Sequence, residues 1–342
     1  MASNRKPINL ALQGGGAHGA FTWGVCDRLL ESEGIAINAI TATSAGAMNG
    51  AVLAYGMHLG GDQGARDKLD EYWHEVSKLK NAFDIPLAAQ VPFLTAFNDF
   101  WSHQMMSTAV QTFSPYQLNP LNLNPLRDLL ERVVDFEELQ CCSAIKLFIS
   151  ATNVRTGKVK VFKQDEVCID AVMASTTLPH LYQAVEIDGE AYWDGGYMGN
   201  PSLWPLFYET EVQDLLVVHI NPLEREEVPT TVAGIENRLN EITFNSALIK
   251  EMRAIAFVQK LLHEGWLKDE YRDKLSDIRY HSIRADKVLK DYPLPTKYKT
   301  DIGFLSELKE VGRESAETWI QENYDEVGKE QSCSLRNEFL QG

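Results

Sequence analysis

The chain opens on short blocks whose polarity switches at regular intervals. Ile8–Leu12 is a brief apolar run of strand type, and Gln13–Gly19 is a glycine-rich turn. Ala20–Leu30 then carries Phe21, Val25 and Leu29 at helical spacing. Ile35–Thr43 reads as a second strand, and Ala45–Tyr55 is rich in small helix formers. Strand, helix, strand, helix in that order predicts a mainly parallel sheet covered by helices, an α/β fold. Further strands are expected at Lys146–Ala151, Val159–Phe162, Ala184–Ile187 and Leu215–Ile220, with Arg155–Lys158 as a hairpin turn. Asn119–Pro125 reads as a loop leading into a helix at Leu126–Val133, where Asp128 and Arg132 stand at i,i+4 spacing for an ion pair. Beyond residue 222 the pattern changes. A long helical periodicity runs from about Val232 to Leu262, a strand candidate follows at Ile278–Ile283, and a more polar helical tail starts near Phe304. Residues 223–342 are therefore expected to form a mainly helical extension packed on the 8–222 sheet, not an independent domain.

Charge narrows the choice of partner. The 342 residues hold 48 acids and 32 bases, a net charge of −16. Residues 1–222 carry 25 acids and 14 bases, and residues 223–342 carry 23 and 18. A nucleic-acid partner demands clustered Lys and Arg, so neither part is expected to bind one. Constitutive docking on anionic membranes is disfavoured for the same reason. No apolar stretch approaches the roughly 18–20 residues of a membrane span, and the first residues lack a signal-peptide core, so a cytoplasmic location is expected. The five cysteines (Cys26, Cys141, Cys142, Cys168, Cys333) form no CxxC and read as reduced thiols. One segment departs from the rest. Residues 81–125 hold two charges, Asp84 and Asp99, and seven aromatics. Such a stretch is either ordinary core or a lid-like insertion that faces something apolar.

Three motifs carry candidate chemistry. Ala42-Thr43-Ser44-Ala45-Gly46 falls where a strand gives way to a helix of small residues. A serine on such a turn projects its hydroxyl clear of the sheet with a helix N-terminus behind it; the alternative is a serine that merely caps the helix. Gly14-Gly15-Gly16-Ala17-His18-Gly19 can converge backbone N–H groups on an anion, either a nucleotide phosphate or the oxyanion of acyl transfer. The acid expected about 20 residues after a dinucleotide loop is missing, as is a Walker lysine, and this favours the oxyanion. Trp193-Asp194-Gly195-Gly196 is a third motif, which alone would be only a turn. Of the eight histidines, His18 and His180 lie nearest to these motifs, and neither has an accompanying pattern that makes it the base. No HExxH and no EF-hand loop is present.

Taken in order and at this spacing, the glycine loop, the serine turn and the DGG motif resemble the patatin-like phospholipase family over roughly residues 8–222. The resemblance implies a patatin-like three-layer sandwich and a Ser–Asp dyad, with Ser44 as nucleophile and Asp194 as its partner. It also implies an oxyanion hole of Gly14, Gly15 and Gly16, with Gly19, Gly46, Gly195 and Gly196 as supporting motif positions. Ala42 is the one departure, standing where the usual G-x-S-x-G pattern has glycine. The implied activity is lipid acyl hydrolysis of phospholipase A, lysophospholipase or carboxylesterase type, with no cofactor and no metal. The implied partners are a lipid or acyl-ester substrate and a transient lipid surface, and the oligomeric state is open. The alternatives are a lipid- or hydrophobic-granule-binding protein of the same fold without turnover, and a nucleotide-binding oxidoreductase.

Overall fold

The structure, a computed structural model, describes residues 5–79, 113–141, 144–272 and 274–339. Eight strands form one sheet. They are β1 (Lys6–Leu12), β2 (Ile35–Ala42), β3 (Lys146–Asn153), β4 (Val159–Phe162), β5 (Val185–Ile187), β6 (Glu190–Asp194), β7 (Asp214–His219) and β8 (Arg279–Arg284). Hydrogen-bonded neighbours run β5-β6-β3-β2-β1-β7-β8, with β4 also paired to β3. Strands β3, β2, β1, β7 and β8 are mutually parallel, and β4, β5 and β6 add antiparallel pairs. Every run expected as a strand lies on one of these. Only β6 is not marked by a hydrophobic run, because Glu190 and Asp194 bracket its apolar residues.

The principal helices are α1 (Gly19–Glu31), α2 (Ala45–Lys78), α3 (Pro125–Val133), α4 (Ile169–Thr176), α5 (Val232–His263) and α6 (Ile302–Asn323). Strand side chains alternate between two buried layers, as a sheet covered on both faces requires. Leu10, Leu12, Leu216 and Val218 pack with residues of α1, α2 and α6. Ala11, Phe148, Leu215 and Val217 pack with Leu248, Met252 and Ile255 of α5. Strand β8, from the stretch after residue 222, extends the sheet beside β7, and α6 packs on α1.

Two local outcomes differ from the sequence pattern. Helix α2 does not stop near Tyr55. It continues through a kink at Gly60 and Gly61, where Gly61 has φ 62°, and returns as a second arm bearing Leu69, Tyr72, Trp73 and Val76 at helical spacing. Arg132 does not pair with the Asp128 carboxylate; it donates to the Asp128 backbone carbonyl at 3.0 Å. Arg127 forms the ion pairs on this helix instead, with Glu131 and Asp170. Of the charge-poor insertion, residues 81–112 lie outside the described residues, and 113–125 lead into α3 through a short helical turn at Pro115–Leu118.

The register of β3 decides where the chemistry sits. Ile149 pairs with Ala42 on one edge and Phe162 on the other, while Ala151 pairs with Asp194 and Lys160. Strand β4 thus lines one edge, and β2 and β6 share the opposite edge end to end. β2 runs parallel to β3 and β6 runs antiparallel, so their C-terminal ends meet, two residues apart along β3, or about 7 Å.

Candidate active site

Ser44 lies two residues past the end of β2, with φ 56° and ψ −125°. A non-glycine residue is held there at a cost of about 1–3 kcal/mol, which persists only where the surroundings dictate it. The surroundings do so here. A side chain at Gly46 would run into the Leu12 carbonyl of β1, so only glycine lets the start of α2 close on the sheet. A Cβ on Gly14 would lie 2.5 Å from the Ser44 Cβ and 2.9 Å from the Thr43 carbonyl, which seats the glycine loop directly on the serine turn. Ala42 fits without strain, since Gly50 of α2 faces it and leaves room for the methyl group. The Ser44 amide donates to Ser175 Oγ of α4 at 2.8 Å.

Asp194 ends β6 and is wholly buried. Its backbone is clamped, its amide donating to the Thr177 carbonyl and its carbonyl accepting from Thr152 Oγ1, each at 2.8 Å. Its carboxylate accepts from the Gly196 amide at 2.7 Å and from Ser44 Oγ at 2.8 Å. Gly195 and Gly196 allow this turn: side chains there would meet the Ser150 carbonyl and the Phe244 ring respectively. Burial raises the Asp194 pKa to about 6, while the Gly196 amide, the Ser44 hydroxyl and the Lys297 charge pull it back down. A carboxylate of that basicity, hydrogen-bonded to a serine hydroxyl, is equipped to accept its proton.

Of the two histidines near the motifs, His18 is engaged elsewhere. His18 is buried, with Nε2 2.8 Å from Thr296 Oγ1, and burial together with the nearby Lys297 lowers its pKa to about 3, leaving a neutral ring. His180 is exposed, and His103 lies outside the described residues. Among the described residues no group of three His, Cys, Asp or Glu side chains is arranged to hold a metal ion.

The three loop glycines separate into two roles. The Gly14 amide donates to Asn200 Oδ1 at 2.7 Å and is therefore committed. Gly15 and Gly16 line the same cavity as Ser44, Ala45 and Asp194. Gly19 supports the loop from behind, its Cα facing Ala45 and Asn49 of α2. The cavity lining is mixed in character. Met48, Tyr72, Trp73, Leu126, Leu178 and Leu181 supply apolar lining, and Asn240, Lys297 and Tyr298 supply polar groups. Several of these positions carry no local sequence signal. Ser175, Asn240 and Lys297 are brought in from α4, α5 and the segment Leu294–Tyr298, the last more than 250 residues from Ser44. An amide network ties part of this lining down: Gln13 Oε1 accepts the Ile220 and Asn221 amides, and Gln13 Nε2 donates to Asn245 of α5 at 3.1 Å.

The strained serine turn, the buried aspartate on its hydroxyl and the glycine loop packed on that turn thus come together on a mainly parallel sheet covered by helices. The family model for patatin-like phospholipases matches residues 10–207, more than half of the chain, and the protein belongs to that family. No curated protein sequence matches the chain. Among solved structures it is similar to VipD from Legionella pneumophila, at 13% identity and TM-score 0.40, covering 97% of this chain and 72% of that one. It is also similar to the type III effector protein ExoU, at 16% identity and TM-score 0.36. That match covers 94% of this chain, which spans about half (54%) of the ExoU chain. The ExoU–SpcU complex from Pseudomonas aeruginosa matches at 16% identity and TM-score 0.30, covering 94% of this chain and 76% of that one.

Proposed function

We propose that the protein cleaves carboxylic esters of lipids through a Ser44 acyl-enzyme. Ser44 Oγ attacks the acyl carbonyl as Asp194 takes its proton. The amides of Gly15, Gly16 and Ala45 receive the developing oxyanion, Ala45 being the residue after the nucleophile at the N-terminus of α2. Collapse of the tetrahedral intermediate expels the alcohol, which leaves with the proton from Asp194. Water, deprotonated by the same carboxylate, then releases the fatty acid and restores the serine. The observation that carries this reading is the 2.8 Å contact between the Ser44 hydroxyl and the buried Asp194 carboxylate. The packing of the glycine loop on the serine turn favours acyl transfer over the nucleotide alternative, since Gly14 abuts the Ser44 Cβ and Gly15 and Gly16 line the same cavity as Ser44. A fluorophosphonate probe is expected to label Ser44 stoichiometrically, read by peptide mass spectrometry. A folded protein that resists the probe, or takes it at another serine, would overturn the assignment.

The lipid surface is met, in this reading, through apolar side chains at the cavity rim. Leu121 is 71% exposed and Leu123 is 46% exposed, immediately before Asn124 and Leu126 of the cavity lining. Among the described residues no helix is long and apolar enough to cross a membrane. Replacing both leucines with aspartate is expected to lower the ratio of vesicle hydrolysis to monomeric-ester hydrolysis about tenfold, as loss of partial leucine burial would. With a net charge of −16 the protein gains nothing from an anionic surface, so raising salt leaves vesicle binding unchanged. Steep release of the protein by moderate salt would contradict this docking mode.

A further inference from the structure

Lys297 lines the same cavity as Ser44 and Asp194. The segment Leu294–Tyr298 crosses over the glycine loop, and the Lys297 backbone carbonyl occupies the space that a side chain on Gly16 would need. The ammonium donates to Asn221 Oδ1 at 2.9 Å and to Asn240 Oδ1 at 2.8 Å. Asn221 is wholly buried and is itself pinned, its Nδ2 donating to the Gly14 carbonyl at 2.7 Å. The charge is therefore held in a fixed place beside the loop that packs on the serine turn. An ammonium has three donors, and two are used. Among the described residues no carboxylate lies within ion-pair distance of it. The carboxylates that act on it at longer range are engaged elsewhere: Asp194 of β6 with Ser44, and Glu241 of α5 with Arg225 and Arg238. Lys297 is half-buried and its ammonium also lies 5.8 Å from the Phe244 ring centroid. A partly desolvated cation without a close counter-ion gains from an anionic ligand that supplies one.

The same cavity is also lined by apolar side chains: Met48, Tyr72 and Trp73 from the two arms of α2, with Leu126, Leu178 and Leu181. An acyl chain suits those side chains, and a fixed cation suits an anion on the alcohol part of the ester. We propose that Lys297, positioned by Asn221 and Asn240, is an anion subsite that receives the phosphate of a glycerophospholipid head group, so that the cavity selects phosphate-bearing acyl esters over neutral acylglycerols. The proposal rests on the acyl-hydrolase reading for its kinetic consequence, while the binding it requires does not depend on turnover.

The test compares 1-decanoyl-glycero-3-phosphocholine with 1-decanoylglycerol, which share the acyl chain and the scissile ester. In the wild type the phosphate-bearing substrate is expected to be preferred in kcat/KM. Lys297→Met is expected to reduce that preference about ten- to hundredfold, the scale of a hydrogen bond to a charged group, and Lys297→Arg to restore most of it. Equilibrium binding of the same two lipids to Ser44→Ala protein, followed by isothermal titration calorimetry, reads the subsite without catalysis. If the wild type cleaves neither lipid while Ser44→Ala protein still binds the phosphate-bearing one preferentially through Lys297, the hydrolase reading fails and the subsite stands. An equal loss on both lipids, or no change in preference, overturns the subsite.

A second readout needs no variant. Burial lowers the Lys297 pKa to about 8, with Glu241 and Asp194 opposing the shift. The other titratable groups around it stay constant over the alkaline range: His18 is neutral, Asp194 is ionised above about 6, and Tyr298 is raised above its ordinary value. The preference is therefore expected to fall between pH 7 and pH 9 in the wild type and to persist in Lys297→Arg. A preference that is flat across this range in the wild type counts against Lys297 as the anion's partner.

Discussion

Ser44→Ala is expected to reduce hydrolysis of a chromogenic acyl ester by about 10⁴-fold or more, the scale seen when the nucleophile of a serine hydrolase is deleted. Asp194→Asn is expected to cost about as much, because the amide keeps the shape of the carboxylate but cannot accept the hydroxyl proton. Both losses fall on kcat, since neither side chain is placed to bind the acyl chain. The wild-type rate is expected to have an acid limb near pH 6. With Asp194 as the proposed ionised base, kcat/KM is expected to fall tenfold per pH unit below that point as the carboxylate is protonated. Substantial turnover by either variant, with the fold intact by circular dichroism, would remove the dyad from the mechanism.

The same aspartate should make the enzyme less stable than it need be. Its pKa rises from 3.8 to about 6 on folding because burial penalises the charge. Between those values the folded state binds more protons than the unfolded one, so this group lowers stability as pH rises through the window. Above about pH 6 the full penalty applies, and a shift of about two units corresponds to about 3 kcal/mol. In Asp194→Asn the amide oxygen can accept from Gly196 and the amide nitrogen can donate to Ser44, so the contacts at 2.7 and 2.8 Å survive without the charge. The variant is therefore expected to be more stable than the wild type at pH 7–8, by up to about 3 kcal/mol, and no more stable below pH 4. Urea unfolding at the two pH values measures the difference. A variant that is less stable at pH 8 would show that the Asp194 charge contributes to folding.

How much of this was legible beforehand differs from one residue to the next. The strand at Val159–Phe162 and the helix beginning at Val232 declare themselves by local periodicity, and the structure places them where that periodicity ends. The second arm of α2 was hidden, because Gly60 and Gly61 interrupt a pattern that resumes at Leu69, Tyr72, Trp73 and Val76. Within the glycine loop, sequence treats Gly14, Gly15 and Gly16 alike. Only the approach of Asn200, from 186 residues away, commits the Gly14 amide and leaves the other two facing the cavity.

The sequence by itself determined the alternation of strand and helix, the serine turn, the glycine loop and the DGG turn, because each is set by neighbours a few residues away: small side chains at tight turns and apolar periods of two or 3.6. Tertiary structure alone decided that β2 and β6 share one edge of β3, so that their ends deliver Ser44 and Asp194 to hydrogen-bond distance. It also decided the basicity of Asp194, which comes from burial, and the presence of Lys297, which comes from a segment at the far end of the chain. Proximity between distant residues and loss of water are properties of the packed sheet and its covering helices, and neither is written in any short stretch of residues.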